Sequence, residues 1–232
     1  MHIMKILKIF AALFFLILTT TTFAQKTEIR DVTGFSGVDV SEGIKVELTF
    51  GDKEFVEVTA DEEYIDQVMT VVSGDELDIY LKGNNWKGGK RNILVKVTAT
   101  KVNSIEASSG SSVTSQNLIE SDELEMSVSS GSNIKIAFKA PKASCDASSG
   151  ASANLKGVAK YFSADASSGS GINAFEVKAV HVKADVSSGA HINVYAEEEI
   201  NAEASSGGSI KYKGSPEMVD VDKSSGGSIR KK

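Results

Sequence analysis

Seven times between residues 108 and 226 the chain repeats Ser-Ser-Gly, with the glycines at 110, 131, 150, 169, 189, 207 and 226. The steps between them are 21, 19, 19, 20, 18 and 19 residues. A motif returning at a nearly fixed interval is a structural period, because a catalytic loop has no reason to recur seven times. The columns around each glycine repeat as well. Three residues before it stand Ala107, Val128, Ala147, Ala166, Val186, Ala204 and Lys223. Five before it stand Ile105, Met126, Cys145, Ala164, Ala184, Ala202 and Val221. Three after it stand Val113, Ile134, Ala153, Ile172, Ile192, Ile210 and Ile229. Polar columns lie between these apolar ones, and alternation of that kind is a strand with one face inward. Each unit therefore reads as strand, tight corner, strand and a looser connection. The match between units predicts that equivalent residues stack.

The expected fold is all-β: a parallel β-helix, or β-solenoid, of about seven coils with an N-terminal strand-rich cap. A single coil cannot cover its own inner face, and stacking supplies that cover. The small inward residues predict a narrow interior. In the triplet, glycine is expected to supply the sharp turn. The second serine is expected to face a corner too tight for a larger side chain, its hydroxyl bonded to backbone or to the serine of the next coil.

Residues 1–24 read as a signal peptide. Lys5 and Lys8 precede the apolar run Ile9 to Leu18, and Thr22-Phe23-Ala24 offers a small-residue cleavage site. An uncleaved anchor is the alternative, although the run is short for a membrane span. After cleavage no membrane span remains. Residues 25–232 form the expected domain, with opening strands or cap over 25–101 and the repeats over 102–232. Removing Lys5 and Lys8 with the leader takes the net charge from −6 to −8, which argues against nucleic acid or anionic membrane as partners. The lone cysteine, Cys145, cannot form an internal disulfide. Its inward position predicts a small buried hydrophobe rather than a nucleophile or metal ligand.

In the N-terminal third, alternation runs through Val38 and Val40, Ile44 to Leu48, Leu77 to Leu81 and Ile93 to Val97. Ser41-Glu42-Gly43 and Ser73-Gly74-Asp75 are turn chemistry. Asp61 to Val72 is helix-like, with Tyr64, Ile65, Val68 and Met69 on one face. The loop from Lys82 to Arg91 holds the only tryptophan, Trp86, either at a hairpin tip able to stack on a sugar or folded back on the rod. At the other end, Arg230-Lys231-Lys232 reads as a charged terminal edge.

One repeated column could carry chemistry. Four residues before the glycines stand Glu106, Ser127, Asp146, Asp165, Asp185, Glu203 and Asp222. Stacked like charges repel. Solvated acids offset by neighbouring lysine columns, a hard cation held between carboxylates and a lyase-type catalytic face are the three readings. Asn154, Asn173 and Asn193 also fall in register and suggest an amide ladder. His181 and His191 are confined to adjacent units, and no nucleophile elbow with triad partners is present. No catalytic, cofactor or metal residues are assigned, and no cofactor is expected.

The stretches Arg-Asp-Val-Thr-Gly-Phe-Ser-Gly-Val-Asp-Val (30–40), Ile-Lys-Val-Glu-Leu-Thr-Phe-Gly (44–51) and Glu-Leu-Asp-Ile-Tyr-Leu (76–81), followed by the Ser-Ser-Gly repeats, resemble the putative auto-transporter adhesin head GIN domain family. The resemblance covers about residues 29–230. It implies a right-handed β-helix in the periplasm, on the outer-membrane surface or outside the cell. The expected function is a non-enzymatic adhesive or ligand-binding head with a glycan or an envelope component as partner. The alternatives are a carbohydrate-active enzyme of the β-helix type and a purely structural envelope component.

Overall fold

In the computed structural model, residues 25–83 and 92–232 are described. The expected leader and Trp86 lie outside them. The alternating segments form strands β1 (Gln25–Arg30), β2 (Gly37–Val40), β3 (Lys45–Phe50), β4 (Phe55–Asp61), β5 (Val68–Ser73), β6 (Glu76–Leu81) and β7 (Leu94–Ala99). They continue with β8 (Ser104–Ala107), β9 (Ser112–Ser115), β10 (Ile119–Glu120), β11 (Glu123–Val128), β12 (Asn133–Ala147), β13 (Ser152–Ala166) and β14 (Gly171–Val186). The last are β15 (His191–Ala204), β16 (Ser209–Gly214), β17 (Met218–Lys223) and β18 (Ser228–Lys231).

These strands join in one 18-stranded sheet that winds as a β-solenoid. On the face before each corner, β6, β2, β8, β11 and the later halves of β12 to β15 stack in parallel, ending at β17. On the face after the corner the stack runs β7, β3, β9, the first halves of β12 to β15, β16 and β18. The chain thus enters at the second rung, β2–β3, and leaves it to build a cover. It then returns as β6 and β7 to lay down the first rung, and passes over β2–β3 to begin the Ser-Ser-Gly rungs. The cover is antiparallel: β5 on β6, β4 on β7 and β1 on β4. Between β4 and β5 there is only a 3-10 turn, Ile65–Gln67. The helix expected over 61–72 is absent because Ile65 and Val68 are already buried in the end of the rod, where strand pairing with β6 satisfies the backbone better than an isolated short helix could.

The inward columns make the core. Val38, Ile105, Cys145, Ala164, Ala184 and Ala202 are each 0–1% exposed. Close stacking at the strand spacing of about 4.8 Å leaves room for such small side chains and removes each rung's apolar face from water. The looser connection expected within each unit is replaced, in β12 to β15, by a bend inside a continuous strand. Inward parity shifts there. In β12, Ile134, Ile136, Phe138 and Ala140 point in, Pro141 and Lys142 are both exposed, and Ala143, Cys145 and Ala147 point in again. Ala140, Ala159, Ala179 and Ala196 stack at this bend in register.

The Ser-Ser-Gly corner is a turn with positive φ at two successive residues. The second serines have φ of 47–53° and the glycines 71–81°. Ser111 N–H donates to Ser108 C=O at 3.1 Å, and the later corners close in the same way. This is the type I′ pattern. The expectation of a crowded corner is overturned: the second serines are exposed, and a Cβ on the corner glycines would meet no atom within 4 Å except at Gly226, where Gly207 N stands 3.9 Å away in ordinary contact. Serine and glycine are selected by backbone conformation, not by space. The corners are tied to one another by backbone. Gly110 N–H donates to Ser130 C=O at 3.1 Å, and the bond recurs at every rung to Gly207. The position just after the glycine is the crowded one. Ser111, Ser132 and Ser170 are buried there, and their hydroxyls donate to the carbonyls of Val40, Ala107 and Ala147 at 2.9, 2.6 and 2.8 Å. Alanine or glycine fills the same place in the other repeat rungs.

Candidate functional site

The outward side chains before the corner form a file of acids. The strand registers place Asp78 beside Asp39, Asp39 beside Glu106, Glu106 beside Ser127 and Ser127 beside Asp146. Asp165, Asp185, Glu203 and Asp222 follow. All six acids of the repeat column are therefore brought into one line. Asp39 and Asp78 extend it beyond the repeats. Asp39 was legible in principle, because Val38-Asp39-Val40-Ser41-Glu42-Gly43 keeps the alternation and puts Ser-Glu-Gly at the corner, with Glu42 at φ 61° and Gly43 at φ 77°. Asp78 has no such triplet beside it and is placed only by the pairing of β6 with β2.

Parallel strands about 4.8 Å apart hold these carboxylates close together. Asp39, Asp146 and Asp165 are each held above the usual carboxylate range. Burial is the largest cause in all three, followed by neighbouring carboxylates: Glu106 and Asp78 for Asp39, Glu125 for Asp146, and Asp185 and Asp146 for Asp165. Glu76 is raised for the same reasons, burial first and then Glu106, Asp39 and Asp78. The lysine columns expected to offset this charge are not beside it. The adjacent outward file reads Ser104, Glu125, Ser144, Ser163, Lys183, Asn201 and Asp220. Among the described residues, the ion pair that reaches the acid file is Lys183 to Asp185 at 3.0 Å.

A groove of ≈ 540 Å³ runs along this file. Its floor and walls are carboxylates (Asp146, Asp165, Asp185, Glu203) and the first serines of successive corners, such as Ser148 and Ser187. A smaller hollow of ≈ 290 Å³ continues it past Ser127 to Glu106 and Glu125. The lining offers hydrogen-bond acceptors at each rung and hydroxyls that donate or accept. Among the described residues, no three His, Cys, Asp or Glu side chains gather into a group able to hold a metal ion. Strand spacing explains this: the acids lie along a line, not around a point.

The remaining candidates are dispersed. Cys145 is buried inside the rod, and burial pushes its thiol far up, so it acts as a small apolar side chain. His181 stacks on Tyr161, ring centroids 4.9 Å apart, and its Nδ1 lies 3.0 Å from Glu199 Oε2. Glu123, Lys142, Tyr161, His181 and Glu199 are successive members of one outward file. Lys142 is ion-paired to Glu123. This file intersperses its acids with a lysine and two stacked rings, unlike the acid file. Asn154, Asn173 and Asn193 are in register, and Asn173 Nδ2 donates to Asn154 Oδ1 at 3.5 Å.

The fold and the groove define a β-solenoid with a repetitive lateral face. Residues 34–216 match the family described as "Putative auto-transporter adhesin, head GIN domain", and the chain belongs to that family. Its fold is shared by solved structures of low sequence identity. One is described as a putative adhesin from Bacteroides fragilis: 21% identical, TM-score 0.84, spanning 90% of this chain and 97% of that one. A second, from Parabacteroides distasonis, is also described as a putative adhesin, at 21% identity and TM-score 0.75, spanning 91% and 98%. A third, described as a putative lipid binding protein from the same organism, is 20% identical with TM-score 0.68, spanning 91% and 98%. No curated protein matches the chain.

Proposed function

We propose that this is an exported, non-enzymatic β-solenoid head that binds a hydroxyl-rich glycan of a cell surface or envelope along its acid-lined face. The observation that carries the reading is the continuity of that face. One outward residue per rung, nearly always a carboxylate, runs from β6 to β17, with serine hydroxyls alongside. Ionised carboxylates accept strong hydrogen bonds from sugar hydroxyls, and a straight file meets successive units of a polymer. Repetition compensates for weak individual contacts through effective concentration. The family description and the adhesin neighbours support an exported, surface-facing role. Carboxylates and hydroxyls suit an acyl chain poorly, which sets this groove apart from a lipid site.

The test is an array of neutral glycans probed with residues 25–232. Retention without cleavage is expected, and it should fall in a variant carrying Asp146→Lys and Asp165→Lys. Shortened oligosaccharides would replace the proposal with a carbohydrate-active enzyme. Retention of none, with the rod folded, would leave a structural envelope component in its place.

A further inference from the structure

At the C-terminal end of the other face the charge reverses. In β16, Lys211 and Lys213 alternate with the inward Ile210. In β18, Arg230 lies beside Lys211, and Lys231 lies beside Tyr212. Lys232 continues that register, its N–H bonded to Tyr212 C=O at 2.9 Å. Lys211, Lys213, Arg230 and Lys232 therefore form a two-by-two array. The spacing is about 4.8 Å between rungs and about 6.6 Å along each strand.

An aromatic floor belongs to the array. Lys213 Nζ lies 4.4 Å from the centroid of the Phe175 ring, and Lys232 Nζ lies 5.2 Å from it. Ammonium groups from two different rungs thus converge on one half-buried ring. Tyr195 stands between Lys178 and Lys213 in the same file, one rung before Lys213. Among the described residues, the ion pairs leave all four cations of the array unengaged. Elsewhere on the rod, Lys96, Lys142 and Lys183 each have a carboxylate partner; what marks the array is that four cations without one stand together on two adjacent rungs.

Four unneutralised cations in register repel one another unless anions of similar repeat lie across them. A ring beneath them offers an apolar surface to the flat side of a sugar. We propose that Phe175, Lys211, Lys213, Arg230 and Lys232 form a second binding surface, for a linear anionic polysaccharide bearing carboxylate or sulfate groups. The polymer lies along the rod axis, so each rung presents a cation to it. This surface is separate from the acid-lined groove and opposite to it in chemistry. It does not depend on that groove binding anything.

Polygalacturonate is the probe, with neutral dextran as its uncharged counterpart. Residues 25–232 should bind polygalacturonate at low salt, lose affinity steeply as salt rises, and ignore dextran at this surface. Changing Lys211, Lys213, Arg230 and Lys232 to Gln together should weaken binding by about tenfold or more. Changing Lys45, Lys53, Lys82 and Lys101 to Gln removes the same charge elsewhere and should leave affinity unchanged. Phe175→Ala should weaken binding about threefold without altering the salt dependence. Lys→Arg at 211, 213 and 232 should retain it, which keeps the test valid if the Gln variant unfolds. Equal loss in both Gln variants, or no binding at low salt, overturns the proposal. So does binding to phosphatidylglycerol vesicles with none to the polysaccharide. Salt-sensitive self-association abolished by the array variant would assign the surface to the acid face of a second copy instead.

Discussion

Asp165 shows what the acid file costs the molecule at neutral pH. It faces Asp146 on one rung and Asp185 on the next, and burial followed by these neighbours raises its carboxyl in the folded state. Lys183 acts the other way but does not overcome them. A native group that holds its proton more tightly than the unfolded chain favours folding as pH falls. The wild-type rod should therefore gain stability as pH drops from neutral through the raised native value. The gain stops below about 3.9, where the unfolded carboxyl is also protonated. Asp165→Asn should stabilise the protein at pH 7 by about 0.5 kcal/mol, the scale of a cross-strand pair, and the advantage should vanish near pH 3. Urea unfolding of both proteins at the two pH values measures it, and an Asn variant less stable at pH 7 would contradict the account. Residues of this kind were the most legible part of the chain. Period alone placed Glu106 through Asp222 in one file, because stacking turns equal sequence positions into neighbours. What period could not reveal is which outward files lie side by side, and so it became visible only in the fold that Lys183 alone, among the described residues, ion-pairs with the file. Lys211 and Arg230 were in the same position: their common column was readable, but the convergence of Lys213 and Lys232 on Phe175 required the bulge in β14 where pairing with β15 shifts between Ala174 and Lys178.

The corner is an element defined by backbone angles. Ser149 has φ 52° and is exposed, and its corner is closed by Ala151 N–H to Ser148 C=O at 3.0 Å. A β-branched residue resists that region of conformational space, whereas asparagine and glycine enter it readily. Ser149→Val should destabilise by about 1–2 kcal/mol. Ser149→Asn should be neutral or slightly stabilising. The reverse order in thermal melts would mean that the hydroxyl, not the angle, is what the corner selects. The second bend has its own requirement. Gly157 sits in β13 at φ 147°, and a Cβ there would stand 1.8 Å from Phe138 O. Gly157→Ala should cost about 3 kcal/mol or more, since the clash is with backbone that cannot turn away. The Ser-Ser-Gly corners announce themselves seven times, but Gly157 and Gly214 occupy the second bend of only some rungs, and the bend elsewhere is made by alanine columns and a parity shift. That irregularity made the bend read as a loose connection. The strand character of 68–73 was hidden for a different reason: Val68 and Met69 fit a helical face in sequence and a strand beside β6 in space.

At the scale of the whole rod the two ends are unequal. The N-terminal end is covered by β1, β4 and β5, and the apolar residues of the first rung beneath, such as Leu77 and Val95, are fully buried. Among the described residues, none covers the last rung, β17–β18, in this way. Val219 and Val221 occupy the inward columns held upstream by Ile200 and Ala202, yet they are 47% and 40% exposed while the upstream pair is 0%. In a stacked repeat, each rung is stabilised mainly by its two neighbours, and β17–β18 has one. The rod should therefore open from this end. Hydrogen exchange should show the lowest protection in β17 and β18, rising through β15 and β16 to the global limit in β13 and β14. Uniform protection along the rod would contradict an uncapped end. Because Arg230 and Lys232 lie on this last rung, a polyanion bound across them and β16 adds a second neighbour in effect. It should slow exchange in β18 and in Lys211 to Gly214 while leaving β13 unchanged, since a ligand stabilises only the openings that release it.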